Sequence, residues 1–334
     1  MKWIYCLIIA FVCSFSLCLQ AQDTFSIVAM DSETGEVGSA GASCVDLSNF
    51  PSIYGDDFLG QLIPGQAAIN TQAYYLPANQ NNARNQIING SSPQETIDWL
   101  IANDVQNAPQ FRQYGIVALV DNVVESAGYT GASTDDYKGH LTGPGYAIQG
   151  NILLGPEILE DMEEQFLNAE GDLACKLMAA LQGANVVGAD TRCADNDSSS
   201  LFAFLKVAQP EDVEGQPSFL VSVSTNDGAG IEPIDSLQTL FDMEKNCLDT
   251  STELARLSDQ IKAYPNPFTD QIQFSISDPA GLQYITIYNV HGGGLMYNES
   301  IIPSSIPTSD WPAGVYWVKI VTDNDIVFRK LVKP

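Results

Sequence analysis

Cations and histidine are scarce in this sequence. Its 334 residues hold 14 Lys and Arg against 41 Asp and Glu, with only two histidines. Eight of the cations and 35 of the carboxylates lie between residues 22 and 261, so the negative excess falls there and the end of the chain is near neutral. A surface of that sign repels phosphates and anionic headgroups, which excludes nucleic acid and acidic membrane surfaces as partners. The motifs HExxH, GxSxG and CxxC are all absent. Their absence removes the zinc-protease, serine-hydrolase-elbow and structural-zinc readings. Asp195-Asn196-Asp197-Ser198 hints at calcium but lacks the glycine and distal glutamate of an EF-hand loop, so it reads as solvated loop. No metal and no cofactor is expected.

Long apolar runs are missing too, with one exception. Lys2 precedes the run Trp3 to Leu19 and the small residue Ala21, which reads as a secretory signal peptide over residues 1–21. The run is short for a bilayer span and has no positive stop flank, so a transmembrane anchor is not expected. Cys6, Cys13 and Cys18 leave with that segment; Cys44, Cys175, Cys193 and Cys247 remain. An even number of separated cysteines in an oxidising compartment implies disulfides, with Cys175 to Cys193 the preferred pair.

What is present is a series of strands and helices that come in blocks. Thr24 to Ala29 reads as a strand, Asp31 to Glu36 as a hairpin turn, and Val37 to Val45 as the returning strand. Its Gly, Ala and Ser content requires a close neighbour, either a second layer or a substrate. Pro51 to Pro64 reads as a loop and Ala67 to Tyr75 as a strand. Helices follow over Asn79 to Asn89 and from Pro93 to about Asn103, the second opened by a capping box of Ser92 and Glu95. Gln113 to Asp121 and Val123 to Tyr129 form a hairpin.

The densest stretch is GHLTGPGYAIQGNILLGPE, Gly139 to Glu157: a glycine-rich loop with a short strand at Tyr146 to Ile148. Gln149 and Asn151 at its end are placed to aim amides into a cleft. Helices at Glu157 to Phe166 and Leu173 to Gly183 and strands at Leu201 to Ala208 and Ser218 to Thr225 complete residues 22–248. This order of strands, helices, strands, helices, strands gives an α+β class, a layered sandwich rather than an alternating parallel sheet. Residues 249–261 read as a polar linker. Residues 262–334 change composition and read as a small all-β sandwich.

Two resemblances rest on quoted residues. AYPNPF near Lys262, GVYWVKI and the closing RKLVKP resemble the C-terminal sorting domain of type IX secretion substrates in the Bacteroidetes. That implies secretion machinery as a partner, passage through the outer membrane, and release or surface attachment. The earlier part resembles the DUF1028 family, placed in the N-terminal nucleophile hydrolase superfamily. The residues that carry this are TFSIVA with Asp31, Thr71-Gln72-Ala73, Arg112-Gln113-Tyr114-Gly115, Gly139-His140 through Gln149-Gly150-Asn151, and Gly188-Ala189-Asp190-Thr191-Arg192. The resemblance implies a four-layer αββα sandwich.

It also implies a nucleophilic Thr24 whose own α-amine is the base, since such an amine titrates near neutrality. Ser26, Asp31 and backbone amides of Gly38 to Ser43 are candidate supports for amine and oxyanion. Cleavage after Ala21 leaves Gln22 and Asp23 ahead of Thr24, so two further residues must go before that amine is free; otherwise Thr24 simply begins a strand. Gln72, His140, Gln149 and Asn151 are candidate contacts for a small-molecule or peptide-like ligand, with a loop satisfying its own backbone as the alternative. Arg112 and Arg192 are candidate clamps for a substrate carboxylate, with an ion pair to one of the many carboxylates as the other reading. Two functions remain open: hydrolysis of a small amide bond, or a non-catalytic binding module for a small ligand or cell-wall fragment. Association between copies of the chain is a further expectation about partners.

Overall fold

A computed structural model describes residues 24–49, 55–247, 261–276, 282–289, 294–299, 305–322 and 326–334. The signal-peptide reading and most of the linker reading lie outside these residues. Up to residue 247 the strands are β1 (Thr24–Met30), β2 (Val37–Ser43), β3 (Gly60–Ile63), β4 (Ala67–Gln72), β5 (Gln113–Val120), β6 (Val123–Thr130), β7 (Gly139–Gly143), β8 (Tyr146–Gly150), β9 (Phe202–Ala208) and β10 (Phe219–Ser224). The helices are α1 (Pro77–Ile88), α2 (Pro93–Ala102), α3 (Glu157–Asn168), α4 (Leu173–Gly183) and α5 (Pro233–Glu244).

The strands form two antiparallel sheets. One has the order β10-β9-β2-β1-β8-β7 and the other β3-β4-β5-β6. Side chains alternate along each strand, so each sheet has two buried faces. On β1, Phe25, Ile27 and Ala29 join the core beneath α3, α4 and α5, while Val28 and Met30 meet Leu62, Ala68 and Val117 of the second sheet. On β5, Tyr114, Ile116 and Ala118 face α1 and α2. Three apolar layers between four structural layers make this the αββα sandwich.

Close packing accounts for the small residues of β2. A Cβ on Gly38 would come within 2.4 Å of Leu177 on α4, and on the opposite face of β2 Ser39 packs against Gly60 of the second sheet, where a Cβ would lie 2.8 Å from the Ser39 Cβ. The close neighbour is therefore a second layer on each face. The capping box of α2 is formed as read, Ser92 Oγ accepting from Glu95 N while the Glu95 carboxylate accepts from Ser92 N.

Three readings need correction. The supposed loop before Pro64 contains β3, whose pairing with β4 places Gly60 where Ser39 and Asn70 leave no room for a side chain. The glycine-rich stretch after Gly139 is a hairpin, with β7 paired to β8 and Gly145 at φ 80° in its turn. The disulfides are Cys44–Cys193 and Cys175–Cys247, with Cα separations of 5.7 and 5.5 Å. Cys175 stands in the first turn of α4, which carries the chain roughly 15 Å away before it returns to Cys193 beside the end of β2. A disulfide tolerates a Cα separation of about 7 Å at most.

The tail has β11 (Ile261–Tyr264), β12 (Gln271–Ile276), β13 (Leu282–Asn289), β14 (Gly294–Glu299), β15 (Ser305–Pro307), β16 (Gly314–Thr322) and β17 (Ile326–Lys333). They form sheets β11-β12-β15 and β14-β13-β16-β17 around their own core of Phe268, Ile272, Ile285, Ile287, Ile306, Tyr316, Val318 and Leu331.

Candidate functional site

At one end of the inter-sheet layer the apolar contacts give way to amides and hydroxyls. Strand register explains how. Ser26 of β1 pairs with Gln149 of β8, and Gln149 with His140 of β7, giving a polar row across the six-stranded sheet. Opposite it, Gln72 of β4 pairs with Gln113 of β5, and Gln113 with Thr130 of β6. Next to that row lie Gly115 and Gly128, themselves paired. A Cβ on Gly115 would lie 1.8 Å from the Gln149 carbonyl, and one on Gly128 would lie 2.6 Å from the His140 ring. These glycines give the facing polar side chains their space.

The two rows are knitted together. Ser26 donates to Gln72 Oε1 and accepts from Gln149 Nε2 at 2.6 Å. Gln72 Nε2 donates to Gln113 Oε1 at 2.7 Å and to the Thr24 carbonyl at 3.0 Å. Gln113 Oε1 also accepts from Asn151 Nδ2 at 2.9 Å, while its Nε2 reaches Thr130 Oγ1 and the carbonyls of Gly139 and Gly150. Thr130 Oγ1 lies 3.0 Å from His140 Nδ1 at the exposed rim. Desolvation of the His140 ring, packed on Gly128, lowers its pKa below the usual histidine value, which favours neutral imidazole at pH 7.

Thr24, Ser26, Gln72, Gln113, Gln149 and Asn151 are each at most 1 % exposed. Gln149 Oε1 and Asn151 Oδ1 are buried without a hydrogen-bond donor among the described residues. Unsatisfied buried acceptors are costly, and two in one cluster mark it out from ordinary core.

Backbone geometry at this end is also unusual. Ala73 directly after Gln72 has φ 50°, and Ile152 directly after Asn151 has φ 54°. A β-branched residue in the left-handed region is disfavoured and persists only where its surroundings impose it. Here Ile152 N donates to Asp135 O, and Ile152 O accepts from Thr191 N. The neighbouring short helix Thr191–Asn196 is tied down by Asp190, whose carboxylate accepts from Cys44 N and Arg192, and by the Cys44–Cys193 disulfide.

The sequence-derived candidates therefore separate. Thr24, Ser26, Gln72, Gln149, Asn151 and His140 share one cluster. Asp31 does not join it: its carboxylate accepts from Glu33 N and Thr34 N in the β1–β2 turn, seven residues along the strand from Thr24. Arg112 is 2 % exposed and points into the layer between α1, α2 and β5, paired with Asp104 at 2.9 Å and donating to Tyr74 O and Gln106 Oε1. Arg192 forks onto Asp190. For both arginines the structure shows an ion pair. The Asp195 loop forms the end of the 191–196 helix, with Asp197 in the left-handed region.

Gln113 and Thr130 did not stand out in the sequence as site residues. The available signal was a glutamine opening the apolar run QYGIVALV, cross-strand from another glutamine.

A family model described as "Family of unknown function (DUF1028)" matches residues 24–228, more than half of the chain. The chain belongs to the DUF1028 family. A second model, the secretion system C-terminal sorting domain, matches residues 262–334. The tail is thus a type IX sorting domain, and the protein is destined for the cell surface or the exterior. The crystal structure of the DUF1028 protein SPO2555 from Silicibacter pomeroyi is similar to this chain at 21% identity. It has a TM-score of 0.51 and covers 70% of this chain and 94% of its own, a likeness that speaks to fold. A DUF3244 protein with an immunoglobulin-like β-sandwich from Bacteroides vulgatus aligns over 22% of this chain and 84% of its own at 18% identity. Its TM-score is 0.20. No curated protein matches the chain. No helix among the described residues is long and apolar enough to cross a membrane.

Proposed function

We propose that this DUF1028 domain hydrolyses a small amide or peptide-like bond, with Thr24 as nucleophile. The observation that carries the proposal is the position of Thr24. It heads the central strand β1 on the inter-sheet face, by strand alternation with Ser26, and is enclosed by amides and hydroxyls that do not titrate near neutrality. The α-amine of Thr24, once free, supplies a base on the nucleophile itself, whereas His140, the cluster's one other titratable group, stands at its exposed rim beside Thr130. Thr24 Oγ1 attacks the carbonyl carbon and its proton passes to the amine. The same proton then goes to the departing amine as the C–N bond breaks. Water, deprotonated by the same α-amine, cleaves the ester and restores Thr24.

This chemistry requires removal of Gln22 and Asp23. The test compares a chain beginning at Thr24 with one beginning at Gln22 on a panel of amino-acid amides and short peptides. The expected result is turnover by the first only, retained in part by Thr24→Ser and lost in Thr24→Ala. Full activity of Thr24→Ala on a substrate cleaved by the wild type overturns the proposal.

A second reading, a non-catalytic binding module, is favoured by one observation: the buried, unpartnered Asn151 Oδ1, which a ligand N–H would satisfy. Ligand affinity unchanged in a His140→Ala, Asn151→Ala double variant counts against it.

A further inference from the structure

The sequence FAFLKVA of β9 places Lys206 on the inter-sheet face, between Phe204 and Ala208, where an aliphatic residue is the ordinary choice. Lys206 is 7 % exposed. Its ammonium donates to Asp57 O at 3.0 Å and Asp57 Oδ2 at 2.6 Å, two of the three bonds it can give. Desolvation pulls its pKa below that of free lysine while Asp57 pushes it back up.

Lys206 lines a cavity of about 330 Å³ that also borders Gln61 on β3 and Glu214 in the β9–β10 connection. Counting strand spacings, Lys206 and Thr24 stand roughly 16 Å apart, so this is separate from the amide cluster.

The cavity is built rather than left over. The β9–β10 connection arches across it and is held at three places. Asp212 accepts from Gln209 N and from Ser218 N at its two feet. Val213 and Gln216 form a bridge at its crown. The Glu214 carboxylate is paired with Arg84 of α1, from the other sheet's helical layer. Leu62, Pro64, Val213 and Pro217 supply an apolar wall. The Gln61 side-chain carbonyl is buried with no donor among the described residues.

The lining therefore asks for two kinds of partner at once. The third proton of the Lys206 ammonium, which also lies 5.7 Å from the Phe204 ring centroid, calls for an anionic or carbonyl oxygen, and Gln61 Oε1 calls for an N–H donor; the Glu214 carboxylate, already held by the Arg84 guanidinium and the Gln61 amide, adds negative charge beside it. Lys206 and Arg84 balance Asp57 and Glu214, so a ligand of no net charge fits without an uncompensated buried charge. The volume is at the lower end for small-ligand sites, about 300 Å³, which limits the occupant to a few residues' worth of atoms.

We propose that this cavity binds a free amino acid or dipeptide as the zwitterion, its carboxylate on Lys206, its ammonium on Gln61 and Glu214, and an aliphatic side chain against Leu62 and Val213.

Calorimetric titration of the full-length protein tests this with L-leucine, L-alanyl-L-leucine, and the N-acetylated and C-amidated forms of each as probes. Binding of leucine or the dipeptide at sub-millimolar Kd is expected, weakened at least tenfold by removing either charge from the ligand. Val213→Trp, an exposed position whose indole fills the cavity, and Gln61→Leu should each lower affinity tenfold or more with an unchanged melting temperature. Lys206→Met, which acts in a buried position, is read only alongside those two. The proposal is overturned if neither probe binds at millimolar concentration, if the blocked ligands bind as well as the zwitterions, or if Val213→Trp binds like the wild type.

Discussion

Two buried polar clusters lie on opposite faces of the same strand, β5. On the helical side, Arg112 and Asp104 are joined by Asn79 and Tyr114. Asp104 accepts from the guanidinium, Asn79 Nδ2 and the amides of Gln106 and Ala108, while Asn79 Oδ1 accepts from Val105 N. On the inter-sheet side, Gln113 sits among Gln72, Asn151 and Thr130. The first cluster is charged and each of those groups has its partner; the second is neutral, leaves two carbonyls unsatisfied, and is flanked by left-handed Ala73 and Ile152. Burial of polar groups alone therefore does not identify a site. A cluster that closes on itself serves the fold, whereas one that stays incomplete, with strained backbone beside it, is the better candidate for meeting a ligand.

The largest effect is expected from removing one member of the charged pair. Arg112→Met leaves the Asp104 carboxylate buried without its counter-ion, for an expected loss of about 3–5 kcal/mol. Thermal or denaturant unfolding measures it. A loss below about 1 kcal/mol would show that the pair is not a structural element. Adding Asp104→Asn should recover part of the loss, because the unpaired charge is gone.

Acid separates the clusters in a second way. Burial raises the Asp104 carboxyl, but hydrogen bonds from Arg112, Ala108 N and Asn79, together with the guanidinium charge, outweigh it and bring its pKa down to about 2. A folded-state value below the unfolded one, about 3.9, contributes stability that is fully present above about pH 5 and lost as pH falls toward 2. Unfolding free energies across that window should therefore fall more steeply for the wild type than for Asp104→Asn. Parallel curves would remove Asp104 as the source. The amides and hydroxyls of the inter-sheet cluster do not titrate and add no slope of their own.

How far this contrast could be read from sequence depends on range. The strands with their alternating apolar positions, the capping box of Ser92 and Glu95, and the small residues of β2 each depend on neighbours a few residues away, and each is legible. Gln149 and Asn151 were visible because glycines and amides are crowded in one stretch. Gln113 was not, because its significance comes from pairing with Gln72, 41 residues earlier, and from facing Asn151 across a sheet interface. The disulfides were misread for the same reason: Cys44 meets Cys193 only after β2 and the Asp190 loop come together, 149 residues apart. Asp31 looked like a partner of Thr24 by proximity in sequence, yet an extended strand of seven residues separates the two by roughly 23 Å.

Within the neutral cluster the expected effects are smaller. Gln113→Ala strips a donor or acceptor from Gln72, Asn151, Thr130 and two backbone carbonyls, for an expected loss of about 1–3 kcal/mol from the groups left unpaired. Asn151→Ala removes a single bond, to a carbonyl that Gln72 still satisfies, and deletes an acceptor that has no donor. The two effects oppose each other, so its stability should change by less than about 1 kcal/mol. A residue that costs little to remove while holding an unsatisfied atom in a buried site is the signature of a group kept for a ligand. If Asn151→Ala instead destabilised the protein as much as Gln113→Ala, the Asn151 carbonyl would have a structural partner after all, and the inter-sheet cluster would close on itself as the Asp104 cluster does.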